Sequence, residues 1–249
     1  MKDCLQYKTL FMIISILIVI PGLSNCDGIF ESRKKESVKK VLQLEDFSHI
    51  NIYGICNLVL RQDTFNLLTM EGVKDVVSDI EVKIMNDTLI IRNNNNRLFR
   101  IDERPSLSLI FKNISYLWTF DPVNVSSFDT LALDWFYYYP IGEIGEADLT
   151  INCGFFGLDN SANTLGRFYI KGKANDVHFF NRYGSSIYAD SLISKEMQVI
   201  NESIGDVYIQ VENKLRVYIW GSGSIYYTGD PEVQVIEDRG TGNVVKLSK

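Results

Sequence analysis

The 249 residues offer few of the side chains on which recognisable chemistry is usually built. There are two histidines, His49 and His178, and four cysteines. Neither histidine has a second ligand at zinc spacing, so no metal site is expected. No Gly-x-Ser-x-Gly elbow, phosphate-cradling glycine loop or His-Glu-x-x-His helix occurs, and no catalytic residues or cofactor are expected. Positive charge is also scarce: the formal net charge is −6. Such a surface repels phosphate backbones, which argues against a nucleic-acid partner. Proline is held to five residues while 46% of the chain is hydrophobic, a balance that excludes disorder as the general state.

No apolar run is long enough to span a bilayer comfortably. The run Leu10–Ile20 has eleven residues, against the ~20 a spanning helix needs. It follows Lys2 and Lys8 and is broken by Pro21-Gly22, the layout of a secretory leader. Leu23-Ser24-Asn25-Cys26 then resembles a lipoprotein cleavage box, with Cys26 as the lipidated first residue; ordinary secretory cleavage nearby is the rival reading. Residues 1–25 are therefore read as a signal peptide. Residues 26–45 are read as a polar tether carrying Arg33, Lys34, Lys35, Lys39 and Lys40, either solvated or touching anionic headgroups. Residues 46–249 are read as one β domain. Of the other cysteines, Cys4 leaves with the leader. Cys56 and Cys153 sit in apolar strands and are read as buried thiols rather than a pair.

What the chain does have is a beat. Segments beginning at Gly145, Gly166, Ser185, Gly205, Gly223 and Gly242 align at spacings of 21, 19, 20, 18 and 19 residues. Their third positions are apolar: Ala147, Phe168, Ile187, Val207, Ile225 and Val244. The fifth are mostly apolar as well. Alternation at period two predicts strands, and the Gly or Ser at position one predicts a corner where φ can be positive. Second strands recur at Asp176–Arg182, Glu196–Glu202, Lys214–Trp220 and Glu232–Asp238. A period near twenty with no Leu/Asn framework predicts a parallel β-solenoid. Upstream, Glu81–Arg92 predicts a hairpin turning at Asn86-Asp87, and Gly72–Ile80 a short helix or a loop.

Phe47-Ser48-His49-Ile50-Asn51-Ile52-Tyr53-Gly54, Leu58-Val59-Leu60-Arg61-Gln62 and Asp87-Thr88-Leu89-Ile90-Ile91 resemble parts of the head GIN domain, a family named for autotransporter adhesins. The closing Trp220-Gly221-Ser222-Gly223-Ser224-Ile225-Tyr226-Tyr227-Thr228-Gly229-Asp230-Pro231 carries most of the resemblance. It covers roughly residues 46–249. The resemblance implies a right-handed parallel β-helix and a secreted or lipid-anchored protein of a Bacteroidetes-type cell envelope. For this chain that means an anchor in the membrane, expected to be the outer one, through the N-terminal lipid.

Tyr169, Tyr188, Tyr208 and Tyr226 fall in the fourth place of successive segments. Their inward-pointing neighbours predict that these rings point outward in one column, about 4.8 Å apart. The column either stabilises the sheet through cross-strand pairs or presents flat faces to a glycan or an envelope protein. Trp135-Phe136-Tyr137-Tyr138-Tyr139 must place aromatic rings on both faces of a strand. Carboxylates Asp148, Asp176, Asp190, Asp206 and Glu232, with Arg167, Lys171, Arg182 and Lys195, could line a polysaccharide-cleaving groove or form a solvated face. The expected function is a non-enzymatic envelope adhesin or binding module. A polysaccharide-active enzyme and a protein that stacks end to end are the alternatives.

Overall fold

The structure, a computed structural model, describes residues 36–95, 104–142, 144–160 and 164–248. Cys26 and the leader lie outside them. Short strands with one apolar face cannot bury it within a single rung, so the rungs stack, giving a β-solenoid of about six turns.

One face of the coil begins with β3 (Cys56–Gln62) and β9 (Val123–Ser127). It continues through the first parts of β11 (Ile144–Asp159), β12 (Leu165–Tyr183), β13 (Ser186–Ser203) and β14 (Val207–Ile219). It closes with β15 (Ile225–Thr228) and β17 (Val244–Lys246). All these neighbours pair in parallel, with Ala147, Phe168, Ile187, Val207, Ile225 and Val244 in one register column. A second face runs from β6 (Thr88–Asn93) through β2 (His49–Tyr53) and β8 (Tyr116–Thr119) to the end of β10 (Leu131–Pro140). It then takes the later halves of β11 to β14 and ends at β16 (Glu232–Asp238). Its inward column includes Ile50, Leu117, Tyr138, Leu158, Phe179, Val199 and Val217, all essentially inaccessible to solvent. Phe136, Phe156 and Phe168 fill the space between the faces. Each such ring contributes about 1.5–3 kcal/mol on burial.

The N-terminal end is built differently. β5 (Ile80–Met85) and β6 form the expected antiparallel hairpin. Asn86 and Asp87 take φ of 48° and 62° in its turn, a conformation their short polar side chains tolerate. Gly72–Ile80 contains the five-residue helix α1 (Lys74–Ser78), which buries Val76 and Val77. The segment read as a tether is in part structured. Ser37–Gln43 forms β1, antiparallel to β4 (Leu67–Val73), because Val38 and Leu42 lean on the core while the lysines between them point out. β4 in turn pairs with β7 (Ser106–Phe111).

The corner glycines are required for a reason other than the one the sequence suggested. Gly145, Gly166, Gly205, Gly223 and Gly242 do not have positive φ. They stack, and each Cα sits against the carbonyl of the rung before. A Cβ on Gly223 would lie 2.0 Å from the Gly205 oxygen, and one on Gly166 2.0 Å from the Gly145 oxygen. The constraint is close approach between backbones. Beside this column runs an asparagine ladder. Asn160 donates its side-chain amide to Asn181 Oδ1 (2.9 Å), and Asn181 donates to Asn201 Oδ1 (2.9 Å) and to the Ser185 carbonyl (3.0 Å). Asn201 donates to the Gly223 carbonyl (2.8 Å). All three side chains are fully buried, so the ladder satisfies polar backbone that the corner would otherwise strand.

Candidate functional site

The four tyrosines form one outward column, as the spacing predicts. Tyr169–Tyr188, Tyr188–Tyr208 and Tyr208–Tyr226 have ring centroids 4.9, 5.5 and 4.9 Å apart and interplanar angles of 13°, 5° and 11°. Strand spacing sets this distance, and the buried residues on either side of each tyrosine force the rings outward. All four tyrosines are half-buried, and the Tyr208 hydroxyl donates to Asp206 Oδ2 at 3.4 Å. Burial, with the Asp206 carboxylate beside it, pushes the Tyr208 hydroxyl above its ordinary pKa. Polar columns flank the stack. Arg167 bonds Glu146 of the preceding rung at 2.6 Å, and Lys171 bonds Asp148 at 2.8 Å.

A broader aromatic face lies on the other side of the coil. Trp135, Tyr137 and Tyr139 point outward from β10, while Phe136 and Tyr138 point into the core. The run of five aromatics therefore divides by alternation. Tyr139 stacks on Trp118 at 4.0 Å and on Tyr137 at 4.4 Å, and Trp135 stacks on Phe155 at 3.8 Å. Tyr53 stacks on Phe120 at 4.3 Å, with the Arg92 guanidinium 4.3 Å over the Tyr53 ring. Tyr116 joins His49 at 5.1 Å to Tyr137 at 6.5 Å. Gly157 faces Tyr137 from the next rung, and the ring lies over its Cα. A Cβ there would come within 2.4 Å of the ring, so the glycine makes the flat packing possible. Burial raises the pKa of both Tyr137 and Tyr139.

The sequence drew attention only to residues 135–139 of this surface. Its other rings come from β2, β8 and β11. The alternations Tyr116-x-Trp118-x-Phe120 and His49-x-Asn51-x-Tyr53 were the available signal.

Three of the basic side chains singled out in the sequence pair off along the coil. Arg167, Lys171 and Arg182 each pair with a carboxylate one rung away: Glu146, Asp148 and Glu202. They form ladders along the coil, as surface charges on stacked strands do. Among the described residues no group of three or more His, Cys, Asp or Glu could hold a metal ion. His49 and His178 stand on the same outer face with β8, β10 and β11 between them. Cys56 and Cys153 are buried free thiols, and burial pushes both pKa values up to about 12. A thiol so placed is a core side chain and a poor nucleophile.

Residues 46–231 match the family model described as "Putative auto-transporter adhesin, head GIN domain". No curated protein matches the sequence. Several crystal structures share the fold. A "putative adhesin" from Bacteroides fragilis superposes with a TM-score of 0.77 at 17% identity, covering 86% of this chain and 98% of that one. A "putative adhesin" from Parabacteroides distasonis gives 0.64 at 14% identity over the same shares. A "putative lipid binding protein" from the same species gives 0.59 at 13% identity, again over 86% and 98%. At these identities the likeness shows the fold alone.

Proposed function

We propose, from the premise that this chain belongs to the head GIN domain family of auto-transporter adhesins, that it is a non-enzymatic binding module of the bacterial cell envelope. On this reading it is held to a membrane, the outer one, by a lipid on Cys26. The tyrosine ladder is its contact surface for a glycan or an envelope protein. One observation carries the reading: four outward rings in register, stacked within 5.5 Å of each other, in a chain whose charged groups pair off as ladders. Rigid stacked rings present apolar area at low entropic cost, which is what a contact surface requires.

The test separates binding from stability. Wild type and Tyr208→Ser are compared for attachment to a glycan array and to envelope extracts, and for thermal unfolding. A contact surface predicts that attachment falls at least tenfold while the melting temperature drops only a few degrees. Unchanged attachment with lowered stability would make the ladder a structural element and remove the reading. The Lipid on Cys26 is checked by palmitate labelling of wild type and Cys26→Ala; equal labelling of the two rejects it.

A further inference from the structure

The tyrosine ladder is open at one end. Tyr226, Tyr208 and Tyr188 lead to Tyr169, and there the rings stop. The next residues in the same column are Asp148 on β11, Ser126 on β9 and Val59 on β3. Among the described residues no ring stacks on the outer face of Tyr169. In its place lies a groove of about 370 Å³, lined by Asn57, Asn124, Ser126, Glu146, Asp148 and Tyr169 with parts of Val125 and Ala147. That volume falls in the ~300–1,000 Å³ range of small-ligand sites.

We infer that this groove is a sugar subsite, in which one neutral pyranose unit stacks on Tyr169 as the next ring of the ladder. The proposal rests on the ladder being a contact surface and names the ligand class and the place of its first contact. Three features of the groove suit a pyranose better than an aromatic side chain. One wall is a single flat ring, which matches the C–H face of a sugar. The floor is polar where a sugar has its rim of hydroxyls. Asn124 donates to Asn57 Oδ1 at 3.0 Å, which leaves Asn124 Oδ1 as an acceptor and the Asn57 amide as a donor. The Ser126 hydroxyl and the Asp148 carboxylate stand in the ladder's own column beyond Tyr169.

The third feature is charge. Glu146 and Asp148 are already paired, with Arg167 and Lys171 respectively. Both cations are spent on those pairs, so the groove offers hydrogen bonds and no free positive group for an acidic sugar. A neutral unit is the species that gains the stacking without stranding a charge. The two ion pairs also tie rung to rung on either side of Tyr169, and the outer face of its ring is turned toward the groove.

The experiment uses the full chain in detergent. Cellohexaose and chitohexaose are the neutral probes and a polygalacturonate hexamer the acidic one, each titrated by calorimetry. The expected result is binding of a neutral probe and at least tenfold weaker binding of the acidic one. Ser126→Phe fills the groove from an outward position without touching the ladder, and should abolish binding. Tyr169→Phe should retain it and Tyr169→Ser should lose it. Gln198→Ala, which points outward from β13 away from the ladder, should leave it within twofold. Retention of binding in Ser126→Phe would overturn the subsite. So would preference for the acidic probe, or no binding of either neutral probe by wild type at millimolar concentration. If Ser126→Phe loses the sugar but still attaches to envelope extracts, the subsite stands and the ladder's contact is with protein. If Tyr226→Ser weakens sugar binding as much as Tyr169→Ser, the strip binds as a whole and the groove has no special role.

Discussion

The asparagine ladder makes a quantitative demand on stability. Asn181→Ala deletes the amide that accepts from Asn160 and donates to Asn201 Oδ1 and to the Ser185 carbonyl. The consequences for the three partners differ. Ser185 O still accepts from Ser203 Oγ at 2.9 Å, and Asn201 Oδ1 from the Ser203 amide at 3.4 Å. The Asn160 amide loses the partner one rung up and is fully buried. A stranded buried donor costs about 1–3 kcal/mol, and each weakened acceptor about 0.5–1 kcal/mol. The expected loss is therefore about 2–5 kcal/mol, a large share of the ~5–15 kcal/mol that holds an ordinary domain together. Urea unfolding followed by circular dichroism measures it, with Gln198→Ala as the control. Gln198 points outward from β13, and its removal should cost under about 0.5 kcal/mol. In the double variant Asn160→Ala/Asn181→Ala the two losses should sum to less than their separate values, because both remove the same bond. A loss below about 1 kcal/mol in Asn181→Ala, with the urea slope unchanged, would show that the ladder does not support the corner.

Three further outcomes follow from the packing. Gly223→Ala drives a Cβ to within 2.0 Å of the Gly205 carbonyl and should cost more than about 3 kcal/mol, or prevent folding. Gly184→Ala meets only the flexible tip of Leu165 at 2.6 Å, and comparable expression and melting of the two variants would refute the stacking argument. Cys56 and Cys153 should resist Ellman's reagent in native protein and react after unfolding. Their pKa values rise on folding from an ordinary 9 to about 12, so the folded state holds protons that the unfolded state releases. Their contribution is intact below about pH 9 and is lost as pH rises toward 12. Urea midpoints should therefore fall less steeply above pH 9 in Cys56→Val/Cys153→Val than in wild type; equal slopes would contradict the assignment. Gly157→Val should displace the Tyr137 ring, seen as a change in near-ultraviolet circular dichroism with the far-ultraviolet signal kept.

The beat of residues 145–246 was legible in the sequence because a solenoid converts sequence separation into spatial contact. Residues one period apart are strand neighbours, so Tyr169, Tyr188, Tyr208 and Tyr226 had to stack once the period was seen. The same separation holds between Asn160, Asn181 and Asn201, and that column could have been read too. The N-terminal half obeys no such rule. β2 lies between β6 and β8, so Ile50 meets both Leu89 and Leu117, because an antiparallel excursion through β4 and the β5–β6 hairpin intervenes. Without a fixed period, no count along the chain could show that Tyr53 and Phe120 would stack, or that Tyr139 would lie on Trp118. The role of the corner glycines was likewise settled in three dimensions. The sequence shows where a side chain is missing, but only the stacked backbones show that a carbonyl of the rung before occupies its place.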